Sequence, residues 1–418
     1  MMTERIDVAV IGGGAAGLMA AVHAARMGAT VTVFEKNERC GRKLGITGKG
    51  RCNVTNHCTR DEFFANVTGD ARFLYSAWSR FDSAATEAFF EEQGVPLKVE
   101  RGNRVFPVSD KARDIVDALV RAAKQAGVRI LRAQVEALHC EQGKVSALTA
   151  NGVRYPVKCV IIATGGASYP LTGSTGDGYR FARELGHTVV PPTPSLVPLV
   201  EAGRFCASVQ GLSLRNVRLR ARDTKTGKTV FEDFGELLFT HFGLTGPLVL
   251  SASAHLTPME PKRYEILIDL KPALDEKTLD ARLLSDFAKY SNRDFQNALG
   301  DLLPQKLIDP LVALSGIDGR KKVNAVTKEE RHRFLSLLKG LPICVQGARP
   351  IAEAIITKGG VALSEIAPRT MASKKAAGVY FAGEVLDLDA YTGGFNLQIA
   401  FCTAVLAGES AAIDALSE

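Results

Sequence analysis

Gly12, Gly14 and Gly17 stand in "GGGAAG" at the G-x-G-x-x-G spacing, directly after the apolar run "IDVAVI" (Ile6–Ile11). That run reads as a buried parallel strand. "LMAAVHAARMG" reads as a helix closed by Gly28, and "TVTVFE" as a second strand ending in Glu35. Gly12 permits a tight turn, Gly14 removes the Cβ that would collide with a pyrophosphate, and Gly17 lets helix and strand pack closely. The helix N-terminus offers free N–H groups to phosphates, and Glu35 can accept hydrogen bonds from an adenosine ribose. Ala15, Ala16 and Lys36 complete this contact region. The arrangement predicts dinucleotide binding. FAD and NAD share it, so this segment leaves the choice of cofactor open.

Two later segments repeat the pattern of a strand ending in glycines. "VKCVIIATGG" reads as a buried strand closing on Gly165 and Gly166, at the start of the glycine-dense "ATGGASYPLTGSTGDGYRFA" (Ala163–Ala182). Near the C-terminus "VYFAGE" ends in Gly383 and Glu384, and "TGGFN" opens a helical stretch with Leu397, Phe401 and Val405 at helical spacing. An FAD is long enough to need a second contact region. Gly383 allows close approach of the flavin half, and Glu384 can hydrogen-bond near the ribityl chain or pyrophosphate. Gly393, Gly394, Phe395, Asn396 and Leu397 would present backbone N–H groups to negative charge developing at the flavin N1–C2 carbonyl edge. The glycine segments then belong to one discontinuous domain holding one large cofactor.

"GRKLGITGKGR" concentrates Arg42, Lys43, Lys49 and Arg51, interleaved with glycines and followed by Asn53 and Asn56. It reads as a phosphate grip, for the cofactor pyrophosphate or for substrate phosphates. Cys52 is the candidate proton donor, since a suitably placed thiol can deliver a proton while a flavin delivers hydride. His241 in "FTHFG" is the second candidate contact to flavin or substrate. Tyr169 and Tyr391 can stack or donate near the ring system. Asp177 reads as a residue that orders its loop, and Ser174 lacks the accompanying base a hydrolase needs. "CNVTNHC", with His57 and Cys58, has no metal-site spacing, and no metal is expected.

The 418 residues, 46% hydrophobic and 23% charged with 39 Gly, have the composition of an ordinary α/β protein with two or three domains. The net charge of +7 is compatible with RNA but common among metabolic enzymes. The eight cysteines fit no regular pairing, which points to a reduced cytoplasmic setting. "MMTERIDVAVIGGG" does not read as a signal peptide, and the apolar stretch Val8–Met27 reads as strand and helix rather than a membrane span.

On "GGGAAG", "GRKLGITGKGRCNVTN", "ATGGASYPLTGSTGDGY", "GELLFTHFGLTGP" and "YFAGEVLDLDAYTGGFNLQIAF", the chain resembles the HI0933-like bacterial flavoproteins over most of its length. Departures at Gly45 and Lys49 fall among loop residues. The resemblance implies FAD and an α/β fold: a Rossmann-like FAD-binding domain formed from both chain ends, with an inserted β-barrel-like and helical region. The expected boundaries are 1–190 and 345–418 for the FAD domain and 191–344 for the insertion.

Within the insertion, Pro191, Pro192, Pro194 and Pro198 mark a connection where regular structure is difficult to continue. "SLRNVRLRARD", "TVFEDFGELLFT" and "RYEILIDL" suit an antiparallel part over about 191–272, and the chain then reads as helical to about 344.

Family members are associated with forming dihydrouridine in large-subunit ribosomal RNA, and others with small-molecule redox chemistry, including steroid-like enone reduction and amine oxidation. The resemblance and the basic loop together put NAD(P)H-driven reduction of a uridine in 23S rRNA first. A small-molecule C=C reductase or amine oxidase comes next. A non-catalytic flavin-containing RNA-binding or redox-sensor protein comes third. NADH or NADPH would act as a transient reductant, since no separate domain for it is visible.

Overall fold

The computed structural model describes residues 6–417, so the first residues of the N-terminal segment lie outside them. The described residues form two compact units, one from residues 6–195 and 351–417 and the other from 196–350. Both junctions fall a few residues beyond the expected boundaries.

The first unit is built on a seven-stranded sheet. Strand β1 (Ile6–Ile11) is almost wholly buried, and helix α1 (Ala15–Arg26) and strand β2 (Val31–Glu35) follow it. The strand Val153–Ile162 lies on the other side of β1, in register Ile11 to Ile162. It joins the parallel and antiparallel parts of this one sheet. Its second half runs parallel to β1 and to Val379–Phe381, while its first half pairs antiparallel with Lys144–Ala150. Arg129–Arg132 extends the parallel part beyond β2. Parallel strands covered on both faces need continuous β-branched runs, which "IDVAVI" and "CVII" supply.

The helix Phe395–Leu416 has the length and composition of a membrane span, but most of it is buried inside this unit. It packs on α1 so closely that a Cβ at Gly408 would lie 2.4 Å from the Ala20 carbonyl oxygen. Small side chains on both helices make that approach possible. The other apolar stretch, Val8–Met27, divides into β1, a glycine turn and α1.

Pro191, Pro192 and Pro194 do not interrupt regular structure as expected. They lie in the strand Val189–Ser195, which pairs antiparallel with Ile356–Val361 in a two-stranded sheet. The register shifts between Val190 and Thr193, where Pro191 and Pro192 fall. A strand with one free edge and an irregularity tolerates residues that cannot donate to a ladder.

The second unit is a closed barrel of the strands Leu199–Glu201, Gly243–Thr245, Thr229–Phe239, Ser213–Asp223, Tyr264–Asp269 and Leu341–Ala348. Ser213–Asp223 alternates buried and exposed residues along most of its length, as a barrel wall requires. The helices Glu276–Lys289, Gln305–Ser315 and Lys328–Lys339 precede the closing strand. The barrel therefore ends after the helical part, within a stretch divided in the sequence reading between helix and FAD domain.

Candidate cofactor and active site

Four strand ends converge on one edge of the parallel sheet: Ile11 into Gly12, Glu35, Ile162 into Ala163, and Phe381 into Ala382 and Gly383. From β1 the chain passes to β2 on one side, while Val153–Ile162 lies on the other. Ligands of doubly wound sheets bind at such a reversal. The segments touch there. A Cβ at Gly12 (φ +103°) would lie 2.6 Å from the Ala163 carbonyl oxygen, and one at Gly383 (φ +77°) would lie 2.8 Å from Ala16 Cβ. The Gly383 N–H donates to Thr403 Oγ1 at 3.0 Å, tying this turn to the C-terminal helix.

Gly17 and Gly14 have opposite surroundings. A Cβ at Gly17 would be 1.8 Å from the Gly12 carbonyl oxygen, whereas one at Gly14 would meet no atom within 4 Å. Gly17 is thus fixed by packing, and Gly14 opens onto free space at the start of α1. That helix has no side-chain cap and no acidic residue in its first turn. The helix beginning at Phe395 shares both features, with Gly394 (φ +102°) as its cap. Two helix N-termini with these features, one beside open space, are suited to phosphate and to an electron-rich ring edge.

Glu35 is buried and accepts from the Gly13 N–H at 2.7 Å and from the Asn37 N–H at 2.8 Å. Lys36 donates to Thr175 and Asp177 of the second glycine segment, so Asp177 orders its loop as expected of it. Ser174 is buried beside Gly165. Tyr169 (φ +51°) caps a short 3-10 turn, and the Tyr391 N–H donates to the Asn66 carbonyl.

Lys43 is the cation that binds these segments together. Its Nζ donates to both oxygens of Glu384, at 2.9 and 2.7 Å, and to Ser168 Oγ at 2.6 Å. Glu384 also accepts from the Thr357 N–H at 2.9 Å. Thr357 Oγ1 in turn accepts from the Ala167 and Ser168 N–H groups. A Cβ at Gly166 would strike Thr357 Oγ1 at 2.4 Å, so that glycine is a packing requirement. Glu384 is therefore the anchor of a network rather than a carboxylate free for the ribityl chain. Sequence reasoning missed Ser168 and Thr357; Thr357 carries no local signal, since its strand meets the site only through tertiary pairing.

The basic loop also differs from a simple phosphate grip. Arg51 is held by Glu100 and Asp110 and lies over the Phe106 ring, 4.2 Å from its centroid. Arg42 donates to Asn37 Oδ1 at 2.9 Å, and Lys49 is exposed. Cys52 is fully buried, and burial pushes its thiol up to about 12. A thiol shut off from solvent is poorly placed to hand over a proton, and its surroundings are those of a packing residue. Asn56 donates to the Gly393 and Gly102 carbonyls, linking the loop to the start of the C-terminal helix. His57 faces Glu87 at 3.0 Å.

His241 belongs to the second unit, on the exposed turn between Thr229–Phe239 and Gly243–Thr245, its ring 5.1 Å from that of Phe242. Asp387, which sequence reasoning passed over, lies in the loop between Glu384 and Thr392. Burial, followed by the neighbouring Asp389, raises its pKa. Asp389 is itself buried and accepts from Ser195 Oγ at 2.7 Å.

The profile of the HI0933-like protein Rossmann domain matches residues 6–410. The chain belongs to the HI0933-like family. It is a FAD-dependent oxidoreductase, and the open Gly14 cradle, buried Glu35 and paired helix N-termini fit that cofactor. The chain is 32% identical over 412 residues to a 3-dehydro-bile acid delta(4,6)-reductase of Clostridium scindens, covering 97% of this chain and 98% of that protein. It is 31% identical over 411 residues to a ribosomal RNA dihydrouridine synthase of Haemophilus influenzae, covering 96% and 98%. Among solved structures it shares the fold of a 3-ketosteroid-delta4-(5alpha)-dehydrogenase from Rhodococcus jostii, with a TM-score of 0.53 at 16% identity over 100% of this chain and 99% of that one.

Proposed function

We propose that this HI0933-like flavoprotein reduces a carbon–carbon double bond conjugated to a carbonyl in a small molecule, with NADH or NADPH as transient reductant. One observation carries this reading ahead of the ribosomal RNA expected from the sequence. Lys43 and Arg51, two of the four cations that made the basic loop look like an RNA grip, are engaged by Glu384 and by Glu100 and Asp110. A polyanion needs cations whose charge is still available. The bile-acid reductase relative supports the same reading, since by its name it acts on double bonds of a 3-keto compound.

Bound FAD would supply the hydride. In this reading the chain's part is to hold and shape. The N-terminus of α1 beside Gly14 takes the pyrophosphate, Glu35 takes the ribose, and the Lys43–Glu384–Ser168 network fixes the turns that flank the flavin. The first amides of the helix at Phe395 favour negative charge at the ring edge. Asp387, whose carboxyl pKa is raised by burial and by Asp389, replaces the buried Cys52 thiol as the candidate proton donor.

Uridine reduction in ribosomal RNA is the second reading, favoured by near full-length likeness to the dihydrouridine synthases of Haemophilus influenzae and Escherichia coli. The uridine double bond is also conjugated to a carbonyl, so the two readings differ in the partner and not in the bond. The test is to give the flavin-loaded protein NADPH or NADH with 4-androstene-3,17-dione, or with unmodified 23S rRNA. A product heavier by two hydrogens in one arm alone decides between them.

A further inference from the structure

The side-chain oxygen Asn53 Oδ1 is buried without a hydrogen-bond partner among the described residues. An unmade bond to a buried acceptor is costly, and native proteins keep few of them. Its loop is strained as well. Gly48 (φ +57°), Lys49 (φ +59°), Gly50 (φ +84°) and Cys52 (φ +59°) all adopt left-handed backbone, and Lys49 and Cys52 do so with side chains that disfavour it.

Both sides of the loop are fastened. Upstream, Lys43 is tied to Glu384 and Ser168, and the Cys52 N–H donates to the Thr47 carbonyl. Downstream, the Val54 N–H donates to the Val105 carbonyl and Asn56 to the Gly393 carbonyl. A Cβ at Gly394 would lie 2.3 Å from the Thr55 carbonyl. Asn53 thus stands between the network that fixes Glu384 and the start of the C-terminal helix. These are the two regions assigned to the flavin half of FAD.

The geometry points to Asn53 as the acceptor for an N–H of the isoalloxazine ring. The strained loop is held in place to present that oxygen. The ring offers an N–H donor on the edge that carries its carbonyls, and a neutral amide oxygen can accept from it without adding charge. This rests on the FAD reading and extends it to a residue that the glycine motifs do not mark.

The experiment strips the purified protein of flavin and measures FAD affinity by fluorescence titration, together with the unfolding temperature with and without FAD. Asn53→Leu should bind FAD about tenfold more weakly. Its flavin-free form should unfold no lower than the wild type, because an unsatisfied acceptor has been removed. Asn53→Asp should retain FAD but lower the flavin midpoint potential, since a carboxylate opposes the negative charge gained on reduction. Unchanged affinity in Asn53→Leu, or a flavin-free form destabilised as much as the loaded one, would overturn the assignment and make Asn53 a structural or water-bound residue. Wild-type protein that takes up no FAD would instead overturn the cofactor reading itself.

Discussion

Lys43 Nζ lies 2.7 Å from Glu384 Oε2, across a sequence separation of 341 residues. The pair is largely buried, with the two side chains 21% and 15% exposed. It closes the discontinuous domain by joining the basic loop to the turn after the strand Val379–Phe381. Lys43→Met leaves Glu384 with Ser168 and the Thr357 N–H but no cation. It should cost about 2 kcal/mol, less than a fully buried pair because some solvent reaches it. Lys43→Met/Glu384→Gln should recover part of the loss. Urea unfolding of the singles and the double measures the coupling, and additive losses would show that the pair contributes nothing.

Gly14 and Gly17 should separate binding from folding. Gly14→Glu meets open space within the chain, so the protein should fold and fail to retain FAD. Gly17→Ala places a Cβ against the Gly12 carbonyl and should yield little folded protein. Circular dichroism and the visible flavin spectrum of both variants check this. Stoichiometric flavin in Gly14→Glu contradicts the phosphate-loop assignment.

The glycine loops, their strands and Glu35 were legible because each is written locally, as a β-branched run ending in glycines. The barrel strand Ser213–Asp223 was equally plain from its alternation. The closing strand Leu341–Ala348 was not, because "LPICVQGA" contains Pro342 and Gly347 and acquires its pairing only from Tyr264–Asp269 and Leu199–Glu201. Charge was legible and its use was not. Arg51 and Lys43 read as free cations because nothing near them in sequence announces Glu100, Asp110 or Glu384. Cys52 read as reactive for the same reason: its burial is a tertiary fact.

Cys52 and Asp387 should behave oppositely. Cys52→Ala should lose about 1 kcal/mol of stability as a core truncation and leave turnover near the wild-type level. Asp387→Asn should slow product formation while leaving flavin reduction by NAD(P)H unchanged. Because the Asp387 pKa is raised, the protonated acid persists above the ordinary carboxylate range and is lost as pH rises through its folded value. The rate should therefore fall along an alkaline limb that Asp387→Asn lacks. Stopped-flow traces across pH test both variants, and a slow Cys52→Ala would restore the thiol as the donor.

His187 should govern part of the acid sensitivity. It is buried, hydrogen-bonded to Ser373 Oγ at 2.7 Å, with Nδ1 3.3 Å from Glu365 Oε2 but outside hydrogen-bonding alignment. Burial lowers its pKa from 6.5, against the pull of Glu365. A histidine with a depressed folded pKa binds protons more readily when unfolded. Stability is then full above 6.5 and is lost as pH falls toward and through the folded value. His187→Gln should flatten the slope of unfolding free energy over that window, and an unchanged slope assigns it to other groups.

The most direct test of the proposed chemistry is the product of one anaerobic reaction. Flavin-loaded protein, NADPH or NADH, and 4-androstene-3,17-dione are mixed, and the steroid is read by mass spectrometry beside 23S rRNA from cells with and without the gene. The steroid should gain two hydrogens, and the rRNA of the two strains should be identical. An unreacted steroid, with a uridine reduction lost from the rRNA of the deletion strain and restored by complementation, would contradict the small-molecule reading and make ribosomal RNA the substrate.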